Sequence, residues 1–441
     1  GWIISEEDWF KNNVKWADFL KIRASYGLTG RDNTAPWQWM QIYAQDANKG
    51  TVFGEGMGND SSNRITINKN NSAVNTEVGW DKSYKMNIGV DARFLDNRLS
   101  VTFDAYREWN RDMLLNLAQN VASTIGTQSA AINRGEMNNW GYELSLTWRD
   151  KICKDFKYRV GLNTGYSDNE VLNMDWETEY LYRQIVKGDR TDQGLWGMQC
   201  IGMFRSNQDI EEYFAENNIT TYLGKSKDQV RPGMLIYKDV RGAQQPDGSY
   251  AGPNGIIDIE EDQVQLSNRS NPYGFTTNLG AEWKGLSLTA QLGASWGGYE
   301  LLPSDARSGL GNIAYNNMPS FWNPDDVFVY QNIYDGAGNL IQAQNREAKY
   351  PNPGFNENSI ASSFWRVSST NVQLRRVTLA YTLPKEWTAG WGIHNVRINV
   401  TGQNLINFYN PYPDNFTSPM AGSFGRYPAL RKWTVGVNLS F

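Results

Sequence analysis

The stretch NPYGFTTNLGAEWKGLSLTAQLGASWGG, residues 271–298, decides how the chain is read. From Phe275 to Trp283 small or apolar side chains fall on every second position, and after Lys284-Gly285 the alternation resumes from Leu286 to Trp296. A period of two marks β-strands, and a two-residue link carrying glycine marks a tight hairpin between them. Both apolar rows end in aromatic rings. The eight steps from Phe275 to Trp283, at about 3.3 Å each, give about 26 Å of strand, and a tilt of about 40° leaves about 20 Å of height. That approaches the apolar band of an outer-membrane barrel.

The pattern recurs outward in both directions. Leu20 to Leu28, Tyr84 to Phe94, Leu99 to Ala105, Tyr142 to Trp148, Tyr158 to Leu162, Val377 to Leu383, Val396 to Val400 and Trp433 to Phe441 all alternate, which with the first hairpin makes ten strands; Trp196 to Phe204 is a weaker eleventh candidate. Several rows begin and end in aromatics (Tyr84 and Phe94, Tyr142 and Trp148, Trp433 and Phe441), as two membrane interfaces select. The opposite rows carry Lys21, Arg23, Lys85, Asp91, Arg93 and Arg397, which suits a wet lumen. In the last strand Trp433, Val435, Val437 and Leu439 are expected to face lipid, with Thr434, Gly436, Asn438 and Ser440 inward.

Soluble sandwiches also alternate, so a glycan-active β-sandwich is a rival reading. It would need paired carboxylates in a cleft, whereas the acidic residues here are scattered through turns and loops. The connections favour a membrane barrel. Leu95 to Arg98, Asp150 to Asp155 and Lys284-Gly285 are short, while 30–79, 169–193, 206–272 and 299–371 are long. Short turns on one side and long loops on the other are the asymmetry of outer-membrane barrels. Within the third long loop, Ser206 to Asn217 reads as a helix with Ser206 as N-cap and Asp209 at N3.

Composition agrees. Aromatic residues are 13% of the 441, too many for a disordered chain. Mean hydropathy is −0.59, and no run nears eighteen apolar residues, so a bundle of membrane helices is excluded. With 42 Lys and Arg against 47 Asp and Glu, nothing suggests nucleic acid as a partner. Cys153 and Cys200 are the two cysteines and His394 the one histidine, which leaves little for a disulfide scaffold or histidine catalysis. His394 reads as structural. The chain opens at Gly1 without an initiator Met or signal peptide and is expected to be a piece of something longer.

Several segments together resemble the C-terminal half of SusC-like TonB-dependent outer-membrane transporters: GWIISEEDWF (1–10), LKIRASYGLTGRDN (20–33), YKMNIGVDARFLDNRLSVTFDAYREWNRDML (84–114), NRGEMNNWGYELSLTW (133–148), the opening stretch 271–298, SSFWRVSSTNVQLRRVTLAYTLP (362–384), VRINVTGQNLINF (396–408) and YPALRKWTVGVNLSF (427–441). The resemblance implies an all-β fold, a transmembrane antiparallel β-barrel with about 10–11 strands here, half of a barrel of about 22. Residues 1–441 would be its C-terminal part, with the N-terminal plug, coupling segment and first strands absent from this chain. It further implies TonB-dependent import of an oligomeric nutrient, a glycan before a peptide, across the outer membrane, with a SusD-like lipoprotein as lid and no catalysis. Phe441 would be the terminal aromatic by which such barrels are recognised for insertion. A passive porin or a surface adhesin is the alternative.

Two groups of residues are candidate sites. Trp37, Trp39, Trp196, Trp322 and Trp365 lie in or near long loops, where a flat ring can stack on a sugar or, equally, pack the loop. Asp239 to Asp262 resembles a calcium-type loop of the family, with Asp239, Asn254, Asp258 and Glu261 as the oxygen ligands if a cation is held. Arg241 stands where a ligand belongs and residues 242–253 interrupt the loop, so a metal-free acidic turn is favoured. Loop 299–370 carries Phe321, Trp322, Phe328 and Phe364, which are expected to be exposed and covered by a lid.

Overall fold

A computed structural model describes residues 1–34, 36–41, 43–46, 66–69, 74–115, 130–174, 181–309, 318–388, 390, 392–418 and 429–440. Its main element is an antiparallel sheet of eleven strands in chain order. These are β1 (Trp2–Ile3), β2 (Ala17–Arg31), β3 (Asp81–Phe94), β4 (Leu99–Leu115), β5 (Ile132–Lys151), β6 (Phe156–Asn173), β7 (Tyr273–Trp283), β8 (Leu286–Trp296), β9 (Asn371–Thr382), β10 (Asn395–Tyr409) and β11 (Lys432–Ser440). Each pairs with its neighbour in sequence, and β1 and β11 are the edges.

The expected strands are all present, several of them longer than the apolar rows that announced them. Tyr142 to Trp148 became twenty residues and Tyr158 to Leu162 became eighteen. At the long-loop end both faces turn polar, so alternation fades while the hydrogen-bond ladder continues. The eleventh candidate was misplaced. Trp196 to Phe204 forms two short pieces, Leu195–Met198 and Cys200–Met203, which pair with loop residues outside the large sheet. The eleventh strand is the two-residue β1.

Register carries one face across the whole sheet. Leu279 stands opposite Val160 on one side and Ala290 on the other, and Ala290 opposite Val377. In β11, Val437 stands opposite Ile398 and Asn438 opposite Arg397, so the odd row continues the apolar face and the even row the polar one. Phe441 lies outside the described residues.

Rings gather where the apolar face meets the long-loop end. Phe103, Tyr142, Tyr166 and Tyr273 stack in succession across β4 to β7 at centroid separations of 6.2, 6.2 and 5.9 Å. At the opposite end three links are short, and two carry the helices Asp8–Asn13 and Lys385–Thr388. Lys284 and Gly285 have φ of 45° and 83°, the left-handed pair that matches the twist of a two-residue hairpin.

The long loops 194–268 and 298–370 fold onto one another as a second body. The amide of Met198 donates to Ala361 O at 2.8 Å and that of Cys200 to Ser363 Oγ at 2.9 Å. Asn358, 1% exposed, joins the two loops: its Oδ1 accepts Leu235 N at 2.8 Å and its Nδ2 donates to Gly233 O at 2.9 Å. The helix Asn207–Glu216 starts as expected, with the Ser206 hydroxyl accepting Asp209 N. It presents Ile210 and Phe214, one turn apart, to a core of Met198, Phe204, Tyr222, Met234 and Tyr237.

A second loop core contains Leu302, Phe321, Trp322, Tyr350 and Trp365. This corrects the expectation for loop 299–370. Phe321 and Phe328 are fully buried, Trp322 is nearly so, and Phe364 packs edge-on against Trp365, so these side chains are covered by their own loop and its neighbours, Phe416 among them. They supply no argument for a lid.

Candidate functional site: the mouth and the polar wall

The five tryptophans divide by burial. Trp365 is 1% exposed, with its indole N–H donating to Asn358 O at 2.6 Å and its ring stacked on Tyr350. Trp322 donates to Ala306 O at 2.7 Å from a similar position. Both are buried with the N–H satisfied, the placement that loop packing requires. Trp37 and Trp39 are the opposite, 61% and 50% exposed in the loop after β2. Trp37 holds φ at 64°, a left-handed conformation that costs a bulky residue energy.

Trp196 is intermediate and has company that the sequence did not announce. The Arg183 guanidinium lies 5.3 Å from its ring centroid, Tyr182 is 5.7 Å away, and Arg241 sits 4.2 Å over Tyr182, which also meets Tyr250 edge-on. The Trp196 indole N–H is buried without a hydrogen-bond partner among the described residues. Arg241, read from sequence as a defect in a metal loop, belongs here; its guanidinium also donates to the carbonyls of Glu261 and Gln263 at 2.7 and 2.6 Å.

The four expected calcium ligands do not converge. Asp239 accepts the amides of Asn254 at 3.3 Å and Gly255 at 2.6 Å. Asn254 Oδ1 accepts Ile256 N, its Nδ2 donates to Glu261, and Asp258 accepts the amide of Glu261. Among the described residues no three acidic, histidine or cysteine side chains meet as a metal site. The turn is built by Asp239 and Asp258 bonding backbone amides and by Glu261 accepting the Asn254 side chain. Asp262, unremarkable in the sequence, is its keystone. Fully buried, it accepts the amides of Val240, Arg241 and Asp258, and burial pushes its pKa upward.

On the polar face of the sheet, Arg23 is held by two carboxylates. Its Nε and Nη2 reach Asp91 at 2.8 and 3.2 Å, and its Nη1 and Nη2 reach Asp104 at 3.0 and 2.9 Å. Gly89 makes room for the cluster, since a Cβ there would fall 2.5 Å from Asp104 Oδ1 and 2.7 Å from Arg23 Cζ. A charged, hydrogen-bonded network on one face and a continuous apolar row on the other suit a wall between water and lipid.

Residues 9–196 match the family model described as TonB dependent receptor-like, beta-barrel. Over those residues the chain is similar to the barrel wall of that family. TonB-dependent receptor P3 of Formosa agariphila is 24% identical over an alignment that covers all of this chain and 41% of the relative. TonB-dependent receptor SusC of Bacteroides thetaiotaomicron is 26% identical over 44% of this chain and 18% of its own length. The solved RagAB peptide importer in its closed-closed state superposes on the whole chain with a TM-score of 0.68 at 18% identity, using 42% of the solved chain. The chain therefore spans about two fifths of the length of the curated relatives that match all of it. The likeness makes the sheet part of an outer-membrane barrel wall, with an apolar face that suits lipid and a polar face that suits a lumen.

Proposed function

We propose that the full-length protein imports an oligomeric nutrient across the outer membrane with energy supplied through TonB. The observation that carries this reading is the SusC-like wall with a self-supporting body over its long-loop end: a mouth folded independently of the membrane is suited to capture, and a polar lumen to passage. Exposed Trp37 and Trp39, and Trp196 with its arginines and tyrosines, supply flat apolar faces beside hydrogen-bond donors. That combination favours an oligosaccharide, whose rings stack on indole while its hydroxyls take the donors. A peptide is the second reading, favoured by solved neighbours titled peptide transporter and peptide importer. A SusD-like surface lipoprotein is the proposed partner over the mouth. No bond is made or broken.

Uptake of labelled oligosaccharides and oligopeptides by cells lacking and then regaining the gene tests this. Restored uptake of an oligosaccharide, lost when the TonB complex is inactivated and weakened by Trp37→Ala or Trp39→Ala, is expected. Uptake that persists without TonB would make the protein a passive porin. Isolation in mild detergent should recover a lipoprotein in equal amount, and a barrel that always isolates alone would remove the lid.

A further inference from the structure

The apolar row of β4 is interrupted by a cation. From Leu99 to Ala105 every odd-numbered residue is apolar and shares one face; Arg107 is the next on that face, and Trp109 follows it. Register agrees. Arg107 stands opposite Met86 on one side and Trp140 on the other, just as Ala105 stands opposite Ile88 and Tyr142. The guanidinium is therefore carried on the apolar side of the wall. Among the described residues it has no ion pair and no hydrogen bond, and the contact it does make is with the Trp109 ring, 5.4 Å from Cζ to the centroid.

The charges around it are already matched. On the same face Lys82 pairs with Asp112 at 2.7 Å and Arg111 with Glu136 at 3.5 Å. The cross-strand row through Arg107 and Trp140 continues to Asp168, which is held by Arg190 and by Arg269, the latter at 3.1 Å. The indole N–H groups of Trp109 and Trp140 likewise make no hydrogen bond among the described residues. Depth can be read from the strand. From Leu99, opposite Phe94 and Trp148 at the end away from the long loops, to Arg107 is eight steps, about 26 Å of strand and about 20 Å of height at a tilt of about 40°. Arg107 stands one row beyond the stacked rings of Tyr142 and Tyr166, at the level where acyl chains give way to headgroups.

We propose that Arg107, with the indole N–H groups of Trp109 and Trp140, binds the phosphate of a lipid in the leaflet at the long-loop end. The inference rests on the barrel reading above. In bulk water an exposed arginine needs no partner, but at the rim of a lipid band it is partly stripped of water, and the anion available in that layer is the lipid phosphate. Stacked on indole, the guanidinium keeps its edge free to give two parallel hydrogen bonds to two phosphate oxygens. The acyl chains of the same lipid would lie on Ile88 and Phe103, which are exposed just below. One molecule then satisfies both the charge and the apolar row beneath it. A carboxylate of a second barrel is the rival occupant.

The test uses the purified full-length protein in dodecyl maltoside, freed of phospholipid. Phenylglyoxal modification of Arg107, located by peptide mass spectrometry, is followed as dioleoyl phosphatidate, dioleoylglycerol or inorganic phosphate is added. Modification slowed several-fold by phosphatidate, and by neither of the others, is expected. Equal protection by dioleoylglycerol would mean that acyl chains merely cover the side chain, equal protection by inorganic phosphate that the site takes a free anion, and no protection that water alone solvates the guanidinium; each overturns the proposal. Protection that is present without lipid and vanishes on dilution of the protein assigns the position to a second barrel, with the same consequence. In native mass spectrometry Arg107→Gln, checked for folding by heat-modifiable gel migration, should retain one phosphatidate fewer than the parent protein, and Arg107→Lys should regain it only at higher lipid concentration. An unchanged lipid count contradicts the site. Quenching of β11 by brominated lipid reports on the barrel independently, so a wall quenched on its apolar row with Arg107 unprotected loses this inference and keeps the barrel.

Discussion

The wall and the mouth body are built on opposite rules by one chain. In the wall, Leu279 and Val437 are 37% and 59% exposed on the outer face while Arg23, Asp91 and Asp104 pair within; in the mouth body Trp365 and Phe321 are 1% and 0% exposed and belong to one of its cores. An exposed apolar row would be an aggregation hazard in water. In lipid it is the correct surface. The comparison teaches that the direction of the apolar face identifies the solvent, and that one polypeptide can change solvent at a strand end, near the rings of Tyr142, Tyr166 and Tyr273.

The largest effect that separates the two regions is expected in the mouth. Trp365→Ala removes a ring enclosed by Tyr350, Phe364 and Trp322 and should destabilise the body by about 3–5 kcal/mol. Limited proteolysis should then cut within 298–370 while the barrel still migrates as a folded, heat-modifiable band. Loss of both together would show that the body and wall are one cooperative unit.

Next in size is a charge placed on each face of the last strand. Val437→Arg should cost roughly 2–4 kcal/mol, falling as the site nears an interface, and Asn438→Arg little. Equal tolerance in a reversible folding assay would contradict the assignment of faces.

The smallest effect is a pH dependence confined to the mouth. Burial raises the pKa of Asp262, so its protonated form is favoured in the folded state and its contribution is fully present below the unfolded carboxylate pKa and lost as pH rises through the folded one. Glu300, also raised by burial, adds in the same sense. Thermal melts of the mouth, followed by tryptophan fluorescence across that range, should carry a component that slopes downward with rising pH, against the opposite component from Asp209, Asp228, Asp247 and Asp335, whose pKa values are lowered. Asp262→Asn should remove the downward component, and an unchanged slope would mean that the buried carboxylate does not titrate with folding.

The sequence disclosed the wall almost completely and the mouth hardly at all, for a physical reason. Along a strand between lipid and water every residue reports its own face, so Leu286 to Trp296 is legible by itself. In the mouth, burial follows from partners far away in the chain. Met198 meets Ala361 and Leu235 meets Asn358, so nothing near Trp322 or Trp365 announced that they would be covered. The short strands around Trp196 misled for the same reason, since their partners are loop residues 263–267 and 235–237. The helix at Ser206 was readable because its cap is local, three residues wide. The acidic turn looked like a cation loop because oxygen-rich spacing is shared by both uses; whether the oxygens point inward or toward amides is decided by the fold.

One row of each wall strand is expected to lie against lipid. In full-length protein with Cys153 and Cys200 replaced by serine, a single cysteine at Val435, Thr434, Val437 or Asn438 would carry a small fluorophore, and quenching by brominated lipid would be measured in bilayers. Strong quenching at 435 and 437 with weak quenching at 434 and 438 is the predicted result, and equal quenching at neighbouring positions, or the reverse order, would contradict it.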